Sequence, residues 1–124
     1  LKLTVIKRFE FEYAHYLPGY DGPCANLHGH RAELEVGVSG VVDAKTGMVI
    51  DFKTLKSVVK QVVVDLLDHS CLNDFDMKDF PSDCPTAENT LLWIVSVLRL
   101  ALFPVELTVV RLWETSGSYC EWRA

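Results

Sequence analysis

At 124 residues, with 49% hydrophobic and 23% charged side chains, the chain has the size and composition of one compact domain spanning 1–124. A net charge of −5 and a pI near 5.3 argue against a nucleic-acid binder, which needs a basic face to neutralise phosphates. A phosphorylated small molecule remains open, because a few local cations can hold one. The longest apolar run, from Leu91 to Phe103, contains Arg99 and is too short to span a bilayer, and no secretory signal is evident.

The four cysteines, Cys24, Cys71, Cys84 and Cys120, form no CxxC pair. Reduced thiols in a cytoplasmic protein are therefore expected. A chain that begins at Leu1 rather than Met is expected to have been processed or trimmed.

Residues 1–13 place Leu1, Leu3, Val5, Phe9, Phe11 and Tyr13 on one parity and mostly charged residues on the other. That period of two predicts a half-buried strand. Lys7 interrupts it, so a bulge is expected near Ile6–Lys7. His15 continues the apolar parity beyond the strand, and "LPGYDGPCAN" follows as a Gly/Pro-rich loop.

A second strand is predicted from about His28 to Val42, with Ala32, Leu34, Val36 and Val38 on its apolar face. His28 and His30 share that even parity, so both imidazoles should project to the core side of the sheet.

"DAKTGM" reads as a turn, and Asp51 as the N-cap of a helix running to about Leu67. Phe52, Leu55, Val58, Val59, Val62, Val63 and Leu66 supply its apolar stripe. The polar segment 68–85 is expected as a long loop, and a structureless loop of that length is usually functional or disordered. Thr86 is the expected N-cap of a second helix buried through Leu91, Val95, Leu98 and Leu102 and ended by Pro104. "VELTVVRLWE" (105–114) and "SYCEW" (118–122) complete a ββααββ order, which favours an α+β fold with an antiparallel sheet.

His28-x-His30 on a strand has metal-ligand spacing, and His15 is the candidate third ligand. Three imidazoles with an open fourth position describe a catalytic zinc site; the alternative is two hydrogen-bonded histidines in a turn, and a core-facing His15 in need of a partner favours the metal. Cys24 can close the shell as a fourth ligand of a structural site, or stay free as a thiolate base or nucleophile. Asp68-His69 suits general acid–base work, with the carboxylate fixing the imidazole's tautomer, but a helix end accounts for the pair as well. Glu114 can hold a cyclic guanidine bidentately or be a solvated strand-end residue, and Thr86 is explained by capping alone.

Together "FEFEYAHYLPG", "CANLHGH", "TGMVIDFKTLK", "LLDHSCLND", "PTAEN" and "LWETSGSYCEWR" resemble the 6-pyruvoyl-tetrahydropterin synthase superfamily. Within it they look most like the bacterial queuosine-pathway branch, the 6-carboxy-tetrahydropterin synthases. Only three residues separate Cys24 from the HGH motif, whereas the animal biopterin branch carries a longer spacer. Arg31 after that motif is a mild departure, since an aromatic or small residue is common there.

The resemblance implies the tunnelling fold, with four antiparallel strands and two helices on one face. It also implies oligomeric barrels, hexamers or tetramers, with active sites at subunit interfaces. It assigns His15, His28 and His30 to zinc, Cys24, Asp68 and His69 to catalysis, and Glu114 and Thr86 to the pterin pocket.

The implied reaction converts 7,8-dihydroneopterin triphosphate to 6-carboxy-tetrahydropterin, releasing triphosphate and acetaldehyde. The biopterin branch would instead keep the two-carbon fragment and give the 6-pyruvoyl product. A non-catalytic, zinc-stabilised oligomerisation module is the remote alternative. Neither nucleic acid nor membrane is an implied partner. Lys53, Arg111 and Arg123 are unranked candidates to hold the triphosphate.

Overall fold

The computed structural model describes residues 1–124. In chain order it contains strand β1 (Lys2–His15), a 3-10 turn (Pro23–Ala25) and strand β2 (His28–Val41). Helix α1 (52–67) follows, then the two-residue strand β3 (Ser70–Cys71) and a 3-10 turn (Leu72–Asp74). Helix α2 (Ala87–Leu102), β4 (Glu106–Thr115) and β5 (Ser118–Arg123) complete it. The strands form one open five-stranded sheet in the order β3-β1-β2-β4-β5. Every pairing is antiparallel except β3 against β1.

A single core joins one face of the sheet to both helices. Phe9, Phe11 and Tyr13 of β1, Ala32, Leu34, Val36 and Val38 of β2, and Leu107, Val110 and Leu112 of β4 meet Leu55, Val59, Val63, Leu91, Ile94 and Leu98 of the helices. The opposite face carries ion pairs, among them Arg8 to Glu33 and Glu35, and Arg111 to Glu35 and Glu121. Alternation along the strands separates an apolar layer from a charged one, as a sheet covered on one side requires.

Several local expectations give way here. The β1–β2 ladder runs unbroken from Lys2↔Val41 to His15↔His28, with no bulge at Ile6–Lys7. Lys7 keeps its place in register, its ammonium 5.7 Å from the Phe9 ring centroid. The bulge lies between β2 and β4, where the register shifts at Gly37/Val38. It brings both Leu107 and Val110 to the core, although their spacing of three would otherwise separate them. Gly37 is needed there, because a Cβ would clash with Val109 Cγ1.

In α1 the α-helical segments Phe52–Val59 and Asp65–Leu67 flank a π-helical turn, Lys60–Val64. Leu55, Val59, Val63 and Leu67 are buried, while Phe52 and Leu66 of the expected stripe are exposed. A four-residue spacing drifts about 40° per step around a 3.6-residue helix, and the wider π turn takes up that drift.

Segment 68–85 is not structureless. Residues 70–71 add a parallel fifth strand to β1, and Asn73 ties to both the N–H and carbonyl of Tyr16. The four antiparallel strands implied by resemblance are therefore joined by a short parallel one.

Asp51 and Thr86 cap the helices as expected, accepting from Lys53 N at 2.8 Å and Asn89 N at 3.1 Å. Thr86→Ala is expected to lower unfolding free energy by about 1 kcal/mol. Urea titration checks this, and an unchanged midpoint would leave the cap without energetic weight.

Candidate active site

The β1–β2 pairing brings the predicted metal ligands together. His15 ends β1 opposite His28, and Tyr13 lies opposite His30. With the strand parity, this register puts His15, His28 and His30 on the core face at one end of the sheet. Their ligand nitrogens lie within 4.8 Å of one another. His15 is almost fully buried, at 1% exposure.

The hydrogen bonds set which nitrogens point inward. His15 Nδ1 is 2.7 Å from the Pro85 carbonyl and His28 Nδ1 is 2.7 Å from the Asn26 carbonyl. A carbonyl only accepts, so each Nδ1 carries the proton and donates, leaving Nε2 a free lone pair. His30 Nε2 lies 3.1 Å from His15 Nε2. Tetrahedral zinc with Zn–N near 2.0–2.1 Å sets nitrogens about 3.3 Å apart, so this donor set fits such an ion.

Burial pushes His15 below its ordinary pKa, outweighing the Pro85 carbonyl and Glu114, which act in the opposite sense. Burial lowers His30 as well, again against Glu114. Both are thereby held in the neutral form that metals bind. One zinc per chain is the expected stoichiometry, and His28→Ala is expected to abolish it while leaving the strands formed. Metal analysis beside circular dichroism checks this, and full zinc content in the variant would dismiss the cluster as the site.

Glu114 reaches the same cluster. Its Oε2 stands 3.8 Å from His15 Nε2 and 3.9 Å from His30 Nε2, with the side chain 29% exposed. Cys24 lies half-buried in the 3-10 turn Pro23–Ala25, and its carbonyl accepts from Leu17 N at 2.9 Å. Its sulfur is not among the clustered ligand atoms, so the thiol is free. Thr86 adjoins Pro85, whose carbonyl holds His15.

Asp68 and His69 lie elsewhere. His69 Nδ1 is 3.0 Å from Asp68 Oδ2, and its Nε2 is 3.7 Å from Glu12 Oε2. Asp68 Oδ1 accepts from Glu12 N at 2.9 Å, and His69 N donates to the Glu12 carbonyl at 2.6 Å. The Glu12 N–H, then the His69 side chain, hold the Asp68 carboxyl below the usual carboxylate range.

His69 takes φ +57°, a left-handed conformation costing a β-carbon residue roughly 1–2 kcal/mol. The two Glu12 backbone contacts hold it there. Glu12 has the parity opposite to Tyr13 and His15, so the His69 ring sits on the charged side of the sheet, away from the imidazole cluster. It borders a shallow groove of about 470 Å³ whose lining also includes Glu12, Gly29, His30 and Arg31.

Several contributors escape sequence reasoning. The carbonyls of Asn26 and Pro85 set tautomers but carry no side-chain signal. Glu12 looks like one more charged position on an outward face. Arg31 is bound to Glu10 at 2.7 Å, and Glu121 engages both Arg111 and Arg123. Of the cations considered for the triphosphate, Arg111 and Arg123 both pair with Glu121.

Residues 4–124 match the 6-pyruvoyl tetrahydropterin synthase family. A 6-carboxy-5,6,7,8-tetrahydropterin synthase of Haemophilus influenzae is 37% identical over 138 residues, covering 96% of this chain and 97% of that one. A dihydroneopterin monophosphate aldolase of Pyrococcus furiosus is 39% identical over 125 residues, covering 98% and 100%. The solved 6-pyruvoyl tetrahydropterin synthase of Caenorhabditis elegans superposes with a TM-score of 0.87 at 27% identity, covering 100% of this chain and 96% of that one. With that match over nearly its whole length, and with an α+β sheet and helices of the same tunnelling architecture, the chain belongs to the 6-pyruvoyl tetrahydropterin synthase family.

Proposed function

We propose that this protein is a zinc-dependent lyase acting on 7,8-dihydroneopterin triphosphate. One water is consumed, and the products are 6-carboxy-5,6,7,8-tetrahydropterin, triphosphate and acetaldehyde, as in the queuosine pathway. The carrying observation is the convergence of one ring nitrogen from each of three imidazoles to within 4.8 Å of one another, with Cys24 a free thiol outside that set. Whole-length similarity to the Haemophilus synthase supports the choice of branch.

His15, His28 and His30 hold the zinc, which supplies Lewis-acid polarisation of the substrate's side-chain hydroxyls. Glu114 accepts the two N–H groups on the guanidine-like edge of the pterin, a bidentate geometry suited to a carboxylate. Thr86 helps line that pocket. Cys24, as thiolate, takes a proton from one side of the side chain. His69, with its Nδ1–H held by Asp68, exchanges protons at Nε2 on the other side.

That division of labour calls for more than one chain. Within one subunit the His69 ring and the imidazole cluster lie on opposite sides of the sheet, so His69 serves a neighbour's zinc. The outer edge of β1 is paired only at Tyr13 and Ala14, and β5 has one strand neighbour. Such open edges close into a barrel only through further copies, and the protein is accordingly a homo-oligomer, a hexamer or tetramer. It works in the cytoplasm with reduced thiols; no helix is long and apolar enough to cross a membrane.

The test is incubation of the zinc-loaded protein with dihydroneopterin triphosphate, followed by mass spectrometry and an acetaldehyde assay. Acetaldehyde with the 6-carboxy product is expected; the 6-pyruvoyl product without acetaldehyde would move the protein to the biopterin branch. Similarity to the Pyrococcus aldolase favours a second reading, aldol cleavage of the monophosphate. Aldol cleavage leaves the phosphate ester intact, so measuring released triphosphate separates the two.

A further inference from the structure

The loop that carries Cys24 is held without packing. None of residues 16–27 between β1 and β2 is buried, so hydrogen bonds rather than apolar contacts fix its course. At its start Tyr16 N donates to Asn73 Oδ1 at 3.0 Å, and Asn73 Nδ2 donates to the Tyr16 carbonyl at 2.8 Å. One residue on, Leu17 N donates to the Cys24 carbonyl at 2.9 Å. The far end is tied through the Asn26 carbonyl, which accepts from His28 Nδ1 at 2.7 Å.

Asn73 takes the place of a missing strand pair. The parallel ladder of β1 with β3 runs through Tyr13↔Ser70 and Ala14↔Cys71. Leu72–Asp74 then curls into a 3-10 turn, and its backbone leaves the ladder. Leu72, fully buried, anchors that turn in the core. The Asn73 carboxamide presents one acceptor and one donor to Tyr16, as a neighbouring peptide group does. An aspartate of the same size has no donor, and its second oxygen would face the Tyr16 carbonyl. The tether therefore runs from a core-anchored turn through Asn73 to Tyr16 and Leu17, and from Leu17 to the backbone of Cys24.

We infer that Asn73 is a positioning residue for Cys24: its carboxamide fixes where the loop leaves β1, and so where the thiol stands relative to the three imidazoles. This rests on the pterin-lyase reading for the chemistry that Cys24 performs; the tether itself belongs to the chain. Releasing Tyr16 moves the thiol but leaves the metal ligands, since His15 is held through Pro85 and His28 through Asn26 at the loop's other end. A displacement of about 1 Å costs a reacting group on the order of 10²-fold in rate.

The experiment compares Asn73→Ala and Asn73→Asp with the wild-type protein, all zinc-loaded. It reads amide hydrogen exchange, the rate at which iodoacetamide alkylates each cysteine (resolved by peptide mass spectrometry), and kinetics with dihydroneopterin triphosphate. In both variants the Tyr16 and Leu17 amides should exchange about 10-fold faster while those of β2 and β4 keep their rates. Cys24 should be alkylated about 5-fold faster, with the exposed Cys84 unchanged as internal reference. The kcat should fall about 10–100-fold with KM and one zinc per chain retained. Wild-type exchange and Cys24 reactivity in either variant, a uniform acceleration across the chain, or an unchanged kcat each overturn the role of Asn73. If the wild-type protein does not turn the substrate over, the lyase reading falls on its own, and exchange and alkylation still decide whether Asn73 places the Cys24 loop.

Discussion

Cys24→Ala is expected to leave one zinc per chain and an intact fold while turnover falls by about 10²–10⁴-fold, the usual range for losing a positioned proton-transfer group. The expectation rests on the separation of the thiol from the metal ligands. Two of the three imidazoles are fixed by backbone carbonyls rather than by Cys24, so the donor set stands without the sulfur. The residue is half-buried in a short 3-10 turn, and truncating it should cost about 1 kcal/mol or less. Zinc analysis, urea unfolding and product formation on one preparation decide the matter. Loss of zinc together with unfolding would mean a closed four-ligand structural site, and the non-catalytic module would become the better description.

Co-expression of His69→Ala with Cys24→Ala is expected to restore activity that neither variant has alone. His69 hangs from Glu12 on the charged side of the sheet, whereas His15, His28 and His30 open on the core side. A site assembled across an interface regains all its groups when the Cys24→Ala chain supplies His69 and the His69→Ala chain supplies zinc and thiol. Random pairing gives roughly a quarter of wild-type activity for a two-chain site. Separately purified variants, kept from exchanging subunits, should stay inactive. No recovery in the mixed oligomers would place His69 in its own chain's site and require a large movement of segment 68–71.

Much of the site was legible in local pattern. A period of two puts His28 and His30 on one face whatever the strand pairs with, because successive side chains alternate across a pleated backbone. The same rule carries His15 to the apolar parity of β1. Asp51 and Thr86 could be read as caps because capping depends on one side chain and an N–H two or three residues ahead.

Other features depend on partners that no local window contains. The π turn in α1 follows from the need to aim Leu55, Val59, Val63 and Leu67 at one sheet, a demand set by the sheet and not by any local propensity. The bulge sits where Gly37 meets Val109 across the β2–β4 pair, not at Lys7, whose break in polarity has no backbone consequence. The extra strand Ser70–Cys71 exists because the edge of β1 accepts it.

The sequence by itself determined the ligand types and their alternation, the free thiol's distance along the chain, and the helix caps, since each depends on covalent spacing of a few residues. Only the tertiary structure decided that His28 pairs with His15, that the carbonyl of Pro85, 70 residues further on, sets the His15 tautomer, and that His69 faces away from the metal ligands. Those outcomes depend on strand register and on which side of the sheet a returning segment lands, and both are settled by burying one apolar face against two helices.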